Sequence, residues 1–335
     1  MYRLINKLTG VLRIEKLIPG LLLLKSNGFY YYNKNYEVSW VIDFVESHFP
    51  VTKYFEIEDE SLISIDTMVN KIDFENGRLK KVFDLSFYPF FYENNCFIGH
   101  RFGKIYAYSL TKKDVIFEIK STGGYYDINR NSIYEISFPE NDSIKFYSIN
   151  NGRELWKLNL NQLLPVEKIL QSGKFISHND KLYFYLYEFM NTQNSFLFCI
   201  NETTGEVLHK IENFGGDMYL LDDLIYSVFK TTIRVLDTNT MEVKIIEFED
   251  EFKKHDFRFS SNRSVITAEG LIYFIDGSVF PTNRFGIADI NKVSLLWHSE
   301  INVNDGVNNC INNIHVHKDK LYLHASDDSV HILEK

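Results

Sequence analysis

One nine-residue stretch decides the fold of this chain, Asn-Glu-Thr-Thr-Gly-Glu-Val-Leu-His at residues 201–209. It recurs in degraded form about eight times, and each copy follows one alternating apolar run and precedes another. Such a unit is typical of strand, polar turn and strand, and its repetition indicates a repeat architecture. The closest copies begin at Ser148, Asp237 and Asp289, and weaker copies begin at Tyr32, Asp73 and Ser109.

Eight strand pairs appear when the units are aligned on this turn. Seven are distinct and lie at 21–24 with 29–32, 96–99 with 104–108, 133–137 with 144–147, 182–186 with 196–200, 225–229 with 232–236, 271–275 with 286–288, and 321–324 with 330–333. A less distinct pair lies at 62–65 with 71–74. Intervals of roughly 35 to 53 residues match the four-stranded blade of a β-propeller. We therefore predict an all-β chain in which residues 1–335 form a single eight-bladed propeller domain, with seven blades as the alternative because the unit at 62–74 is weak.

The two ends of the chain complete each other in this pattern. The last unit stops at Glu334 and Lys335, where its turn should begin, so it lacks an outer strand. Residues 2–14 form a further copy of strand, turn and strand, and either 3–5 or 11–14 is the missing strand. We expect N- and C-terminal strands to close the ring and to leave no free sheet edge there.

Composition narrows the class of partner. Aromatic residues make up 16% of the chain, which favours sheets because flat rings pack well on a pleated surface. The net charge of −9 argues against nucleic acid and anionic membranes as partners, since both attract basic surfaces, but it suits a basic protein.

The N-terminus resembles no signal peptide, and no apolar run approaches the length of a membrane span. Cys96, Cys199 and Cys310 are far apart in apolar runs, which is typical of reduced, strand-borne thiols. We therefore predict a cytoplasmic protein. Its abundant Asn, Lys, Ile, Phe and Tyr are typical of a bacterium with an AT-rich genome.

The repeated turn resembles a known family signature. An alternating strand followed by Asp/Asn-x-x-Thr-Gly-x-x-x-Trp is similar to the PQQ-like repeat of quinoprotein and outer-membrane assembly propellers, and the units at Ser148, Asn201 and Asp289 carry most of it. The resemblance implies the propeller fold and says little about chemistry. Departures are frequent: Met241 and Val293 replace the glycine, His209 and Phe117 the tryptophan, and Ser109 and Ser148 the acidic residue.

The signature has a structural explanation. Asp or Asn can accept hydrogen bonds from the turn amides, Gly tolerates a positive φ, and the aromatic ring fills the gap between blades. These turns join third to fourth strands and are uniformly short. We expect function on the opposite face of the ring.

That opposite face carries the second-to-third loops and the links between blades. The loops at 138–142, 187–194 and 276–284 vary in length, and the links at 247–252 and 302–313 emerge on the same side. Variable loops on a repeated scaffold usually carry binding function, although they can also be merely longer and solvated, with their rings folded back onto blade edges. The candidate protein-binding residues are Phe138, Glu140, Phe189, Met190, Glu249, Asp250, Glu251, Phe280 and Arg284.

Other chemistry has little support. His315 and His317 share a strand face near His324 and His331, but no acidic or Cys ligand falls at ligand spacing, so we predict packed or hydrogen-bonded histidines and no metal. The chain has no nucleophile elbow or glycine-rich phosphate loop, so we predict no catalytic residue and no cofactor. The aromatic run at 87–92 is a second interface candidate, because its rings cannot all face inward on one alternating strand.

The leading hypothesis is a non-catalytic cytoplasmic propeller that binds a protein partner, in concrete form a bacterial immunity protein that neutralises a basic toxin domain. The alternatives are a quinone-dependent dehydrogenase, another propeller hydrolase or lyase, and a scaffold for outer-membrane protein assembly. A quinoprotein would stack its cofactor on a tryptophan beside a calcium ion, whereas Trp40, Trp156 and Trp297 occupy blade-packing positions. An assembly scaffold would need an exported or anchored N-terminus, whereas residues 1–10 resemble part of the fold.

Overall fold

The computed structural model describes residues 2–17, 20–44, 50–57, 59–121, 126–129, 132–136, 143–164, 169–188, 191–279, 281–303 and 310–335. Their strands form eight antiparallel four-stranded sheets, arranged as the blades of a β-propeller. The predicted eight blades are confirmed, and the seven-bladed alternative is wrong. The weak unit at 62–74 supplies the middle strands of an ordinary blade.

The strands, named in chain order, group into blades as follows. Blade 1 contains β2 (Val11–Lys16), β3 (Leu21–Lys25), β4 (Gly28–Tyr32) and β5 (Val38–Asp43); blade 2 contains β6 (Thr52–Ile57), β7 (Glu60–Ile65), β8 (Met68–Asp73) and β9 (Arg78–Asp84). Blade 3 contains β10 (Tyr88–Glu93), β11 (Cys96–Arg101), β12 (Lys104–Ser109) and β13 (Asp114–Lys120); blade 4 contains β14 (Tyr126–Asn129), β15 (Ser132–Ile136), β16 (Ser143–Ser148) and β17 (Glu154–Asn159).

Blade 5 contains β18 (Ile169–His178), β19 (Lys181–Glu188), β20 (Asn191–Asn201) and β21 (Val207–Glu212); blade 6 contains β22 (Asp217–Leu221), β23 (Leu224–Phe229), β24 (Thr232–Asp237) and β25 (Val243–Glu247). Blade 7 contains β26 (Phe259–Ile266), β27 (Leu271–Asp276), β28 (Arg284–Asp289) and β29 (Ser294–Glu300); blade 8 contains β30 (Ile311–His317), β31 (Lys320–Ala325), β32 (Val330–Glu334) and β1 (Arg3–Leu8). The described residues also form two short helices, α1 (Leu160–Leu163) and α2 (Glu249–Lys253), which follow blades 4 and 6.

The N-terminal strand β1 closes the ring. It pairs antiparallel with β32, with Leu4 opposite Leu333 and Leu8 opposite Val330. The segment at 3–5 is therefore the closing strand, and the alternative at 11–14 is wrong because that segment begins blade 1 as β2. Tyr2 reinforces the closure, since its ring packs 5.6 Å from that of Trp297 in blade 7.

The apolar core lies between neighbouring blades. Strand side chains alternate between the two faces of a sheet, so each blade needs a neighbour on both sides to bury them. Phe285 and Ile314 join blades 7 and 8 in one such cluster. Leu23 and Ile332 join blades 8 and 1 in another, so the core continues across the closure.

The repeated turn has the predicted hydrogen bonds. The Asn201 Oδ1 atom accepts from the backbone N–H groups of Thr203 and Thr204, both at 2.9 Å. Asp237 and Asp289 accept equivalent bonds in blades 6 and 7. The structural role predicted for the first residue of the signature is confirmed.

The aromatic and glycine positions of the signature form one contact across two blades. The indole N–H of Trp156 in blade 4 donates to the carbonyl oxygen of Glu202 in blade 5, at 2.9 Å. The indole ring then lies directly over Gly205, where an added Cβ would come within 2.7 Å of it. The same 2.7 Å approach occurs at Gly77 under Trp40 and at Gly152 under Phe117.

Turns that lack the glycine follow blades that lack the large ring. Lys113, Met241 and Val293 hold the glycine position with φ of 55°, 62° and 52°. The aromatic position of the preceding blade is Lys81, His209 or Ile245 in these cases. The glycine position thus keeps a positive φ in each of these turns, whereas glycine itself is kept where a ring of the preceding blade rests on it.

Candidate interaction face

Consecutive strands of each blade run in opposite directions, so their connections emerge on two faces. We call the face with the second-to-third turns and the links between blades the loop face; its described segments include 66–67, 102–103, 230–231 and 248–258. We call the other the turn face, because it carries the repeated third-to-fourth turns.

Five predicted site residues lie outside the described residues: Phe138, Glu140, Phe189, Met190 and Phe280.

Two of the predicted acidic residues are exposed on helix α2. Glu249 and Asp250 begin the helix as it leaves blade 6, and both side chains face solvent. Hydrogen bonds from Thr231 and Lys253 hold the pKa of Glu249 below its usual range, so it is ionised at neutral pH. The Lys253 ammonium lies 3.2 Å from Glu249, which partly offsets the local negative charge.

The third acidic residue, Glu251, attaches the helix to blade 7. Its Oε1 atom accepts from the backbone N–H of Leu295 on the outer strand β29 at 3.1 Å. Its Oε2 atom accepts from Lys254 at 2.6 Å. Phe248 and Phe252 of the same link are buried, so this part of the link is core rather than surface.

Arg284 is also engaged within the protein. Its guanidinium lies 3.1 Å from the Asp276 carboxylate, which is fully buried, and donates to the carbonyl oxygen of His255 at 3.0 Å. It also lies 4.2 Å from the centre of the Phe257 ring. Arg284 therefore holds the link after α2 onto blade 7.

The aromatic run at 87–92 is accommodated by a β-bulge. The register of β10 against β11 shifts between Pro89 and Phe91, which removes strict alternation at that point. Phe87 stacks on Tyr106 at 5.4 Å, and Tyr92 packs on Phe97 at the same distance. Phe87 is therefore buried by blade packing, whereas Tyr88, Phe90, Phe91 and Tyr92 stay partly exposed, so the run remains a predicted interface.

Phe102 is a surface feature that loop length did not indicate. It is 84% exposed on the loop face, where Phe102 and Gly103 alone join β11 to β12. Their φ angles are 50° and 70°, which fits a type I′ hairpin that normally carries Asn-Gly. A bulky residue is rare at a positive φ. A Phe-Gly pair between two predicted strands, in place of Asn-Gly, was therefore the sequence signal that could have identified this residue.

Two of the four histidines of blade 8, His331 and His324, have hydrogen-bond partners of their own. His331 is buried and its Nε2 atom lies 3.0 Å from the Ser329 hydroxyl; burial, aided by Lys7, lowers its pKa to about 4. His324 donates from Nε2 to the carbonyl oxygen of Val11 at 2.7 Å. Among the described residues, no group of three or more His, Cys, Asp or Glu side chains is arranged to hold a metal ion.

His315 and His317 line a pocket of about 630 Å³ at the turn-face end of β30, β2 and β6. The Lys16 ammonium lies in its wall and donates to the Tyr54 hydroxyl at 2.8 Å and to Glu56 at 2.6 Å. The pocket lies on the face where we expected no function. Its residues come from three blades, so no local motif announced it.

The structure bears on the expectations for the cysteines and for membrane-spanning segments. Cys96, Cys199 and Cys310 are free and buried; the first two lie in strands, and Cys310 precedes β30. No helix in the described part of the chain is long and apolar enough to cross a membrane.

Comparison with known proteins supports the fold. No protein-family model and no curated protein sequence matches the chain. BamB from Moraxella catarrhalis is similar over 100% of both chains, with 12% identity and a TM-score of 0.61. The computationally designed Ika8 protein is similar over 98% of this chain and 96% of its own, with 11% identity and a TM-score of 0.63. The C-terminal WD40 domain of Sif2 is similar over 100% and 98%, with 10% identity and a TM-score of 0.63.

Proposed function

We propose that this propeller is a non-catalytic protein-binding protein and that its loop face is the binding surface. Phe102 carries the proposal, because it is 84% exposed on that face, with the Arg101 guanidinium 4.8 Å from its ring centre. Aromatic side chains that become buried on association supply much of the free energy of protein interfaces. The residue also occupies an unfavourable backbone conformation, and such conformations cluster at functional sites.

The charge of the protein favours a basic partner. The net charge is −9, and Glu249 and Asp250 are exposed on the loop face. Opposite charge accelerates the encounter of two proteins and helps to select the partner. In its concrete form, the proposal is a cytoplasmic bacterial immunity protein that covers a basic, nucleic-acid-cleaving toxin domain.

The proposal is tested by affinity capture from the native host with three forms of the chain. The wild type and Leu296→Ser should recover the same stoichiometric partner, because Leu296 is an exposed apolar residue on outer strand β29. Phe102→Ser should lose it while keeping the circular dichroism of the wild type. Recovery of the partner by Phe102→Ser, or no stoichiometric partner at all, would overturn the proposal.

The immunity role has its own test. The reading frame beside this gene should encode a toxin, and co-expression of the propeller should restore growth to cells that make it. Charge reversal at Glu249 and Asp250 should slow association, with a weaker effect at high salt. A toxic neighbour against which the propeller gives no protection would remove this role and leave protein binding in place.

The turn-face pocket favours a second candidate function, conversion of a small molecule. It brings Lys16, Glu56 and His315 to one cavity, and these are side-chain types that transfer protons. A visible absorbance spectrum and metal analysis of the purified protein test the quinone-dependent form. A bound quinone or a stoichiometric metal would favour the enzyme and contradict the non-catalytic proposal.

A further inference from the structure

A second pocket, of about 310 Å³, opens on the loop face between blades 5 and 6. Lys230 and Thr232 come from the hairpin between β23 and β24, and Arg234 lies further along β24. Ser195 comes from β20, directly after the variable segment at 187–194, and Asn213 comes from the link between the two blades. The volume corresponds to roughly ten water molecules, enough for a small polar group and part of what it is attached to.

The walls of this pocket are fixed by backbone contacts. The N–H of Phe248 donates to the carbonyl oxygen of Thr231 at 2.7 Å, and the N–H of Phe259 donates to that of Lys230 at 2.6 Å. The pocket is therefore a formed feature of the junction.

The lining is positively charged in an acidic protein. It includes Arg234 and Lys230 and no acidic side chain, although the chain has a net charge of −9. Neither cation forms an ion pair within the described residues. The nearby Glu247 carboxylate accepts a hydrogen bond from the Thr232 hydroxyl at 2.9 Å and acts on Arg234 only through space.

Two donors of the lining are partly or largely buried. The Arg234 guanidinium is partly buried, and this loss of water lowers its pKa despite the influence of Glu247. Ser195 is only 8% exposed and contributes its hydroxyl to the lining. Hydrogen bonds from partly desolvated donors to an ionised acceptor are stronger than the same bonds in water, so a ligand with anionic oxygen atoms suits this lining.

We propose that this pocket binds an oxyanion, a carboxylate or phosphate group, between the Arg234 guanidinium, the Lys230 ammonium and the Ser195 hydroxyl. The guanidinium presents N–H donors in a planar fork that matches two oxygen atoms of either group. Lys230 adds a mobile charge at the exposed rim, and Ser195 adds a donor at the buried side. This inference goes beyond the protein-binding proposal, because the pocket needs no protein partner to hold an anion.

Isothermal titration of the full chain with inorganic phosphate and with acetate, each at constant ionic strength in chloride, tests the proposal. At least one probe should bind saturably at one site, and the tighter probe identifies the group. Arg234→Gln should weaken binding roughly tenfold or more, as expected for loss of a charge-assisted bond. Arg153→Gln makes the same charge change at an exposed turn of blade 4 and should bind like the wild type.

Three results would overturn the proposal: no saturable binding of either probe, equal binding by Arg234→Gln and the wild type, or equal weakening by both arginine variants. Lys230→Gln provides a second variant at an exposed side chain, and it should also weaken binding. Without oxyanion, Arg234→Gln should melt at or above the wild-type temperature, because a guanidinium without a partner is removed. A clear fall in its melting temperature would show that Arg234 has a structural role instead.

Discussion

Replacement of Gly205 by alanine tests the contact that explains the repeated signature. Gly205 has a φ of 73°, and a Cβ there would lie 2.7 Å from Cδ2 and 2.9 Å from Cγ of Trp156. Carbon atoms in favourable contact are about 3.5–4.0 Å apart, so the indole would have to move by roughly 1 Å. It is held by the hydrogen bond to Glu202 and by a stack on Phe146 with ring centres 4.7 Å apart.

Gly103 is a matched control. Its φ is 70°, but a Cβ there would meet no atom within 4 Å. Alanine at either position has the backbone penalty of a positive φ, about 1 kcal/mol. Only Gly205→Ala adds overpacking against a fixed ring, which costs about 1–3 kcal/mol more. We therefore expect a loss of about 1 kcal/mol for Gly103→Ala and about 2–4 kcal/mol for Gly205→Ala.

The assay is urea unfolding followed by circular dichroism, with comparison of midpoints and slopes. Trp156→His, which imitates His209 before Met241, should remove the obstruction. In that background Gly205→Ala should cost about 1 kcal/mol, and the double-mutant cycle should give a coupling energy of about 1–3 kcal/mol. Equal losses at Gly103 and Gly205, or no coupling to Trp156, would refute the reasoning.

Three further predictions concern burial and closure. Burial lowers the pKa of His331 to about 4, below the usual histidine value of about 6.5, so the neutral form stabilises the fold above pH 6.5. About 3 kcal/mol of this stability is lost as the pH falls toward 4. His331→Gln should therefore flatten the decline in urea midpoint between pH 7 and pH 5, and an unchanged slope would contradict this. Arg284→Gln leaves the buried Asp276 carboxylate without its ion pair and should cost about 3 kcal/mol of stability. Adding Asp276→Asn should restore most of that stability, because the unpaired buried charge is then removed. If the second substitution restores none of it, the loss comes from packing instead. Tyr2→Ala should cost about 3 kcal/mol of stability, because it removes the ring contact with Trp297 that closes the propeller. Tyr2→Phe should cost under about 1 kcal/mol, because it removes only a hydrogen bond to Tyr273 that is 3.3 Å long. Equal losses of stability in thermal unfolding of the two variants would contradict the role of the ring.

The middle strands were predictable because their signal is local. Each is an alternating apolar run beside a recognisable turn, and even the weak unit at 62–74 gave β7 and β8. The turn hydrogen bonds of Asn201 were predictable for the same reason, since donor and acceptor lie within three residues. Local patterns were therefore sufficient for the number of blades and their order.

The unpredicted features join residues far apart in sequence. The choice of β1 as the closing strand depends on its pairing with β32 at the other end of the chain, which alternation alone does not specify. Glu251 lies in an acidic run, and only the position of the Leu295 N–H shows that it attaches α2 to blade 7. The oxyanion pocket brings Ser195 together with Arg234, 39 positions apart, and neither belongs to a motif.

The loss of the signature in particular blades has a physical meaning. A ring of one blade rests on the turn of the next, so the two positions act as one packing unit and change together. The unit is absent at the junctions of blades 2 with 3, 5 with 6 and 6 with 7, which precede Lys113, Met241 and Val293. The junction of blades 5 with 6 contains the oxyanion pocket, and that of blades 6 with 7 contains the buried cluster of Phe248, Phe252 and Phe274.

Other contacts replace the missing ring at the pocket junction. His178 of blade 5 lies 2.7 Å from the Asp223 carboxylate of blade 6, and Lys181 donates to the carbonyl oxygen of Thr238 at 3.1 Å. These are polar contacts near the surface, which stabilise less than a buried indole because water competes for them. Blades 5 and 6 are thus joined at the turn face by replaceable contacts, while the loop face of their junction holds two cations, Lys230 and Arg234, that form no ion pair with the described residues.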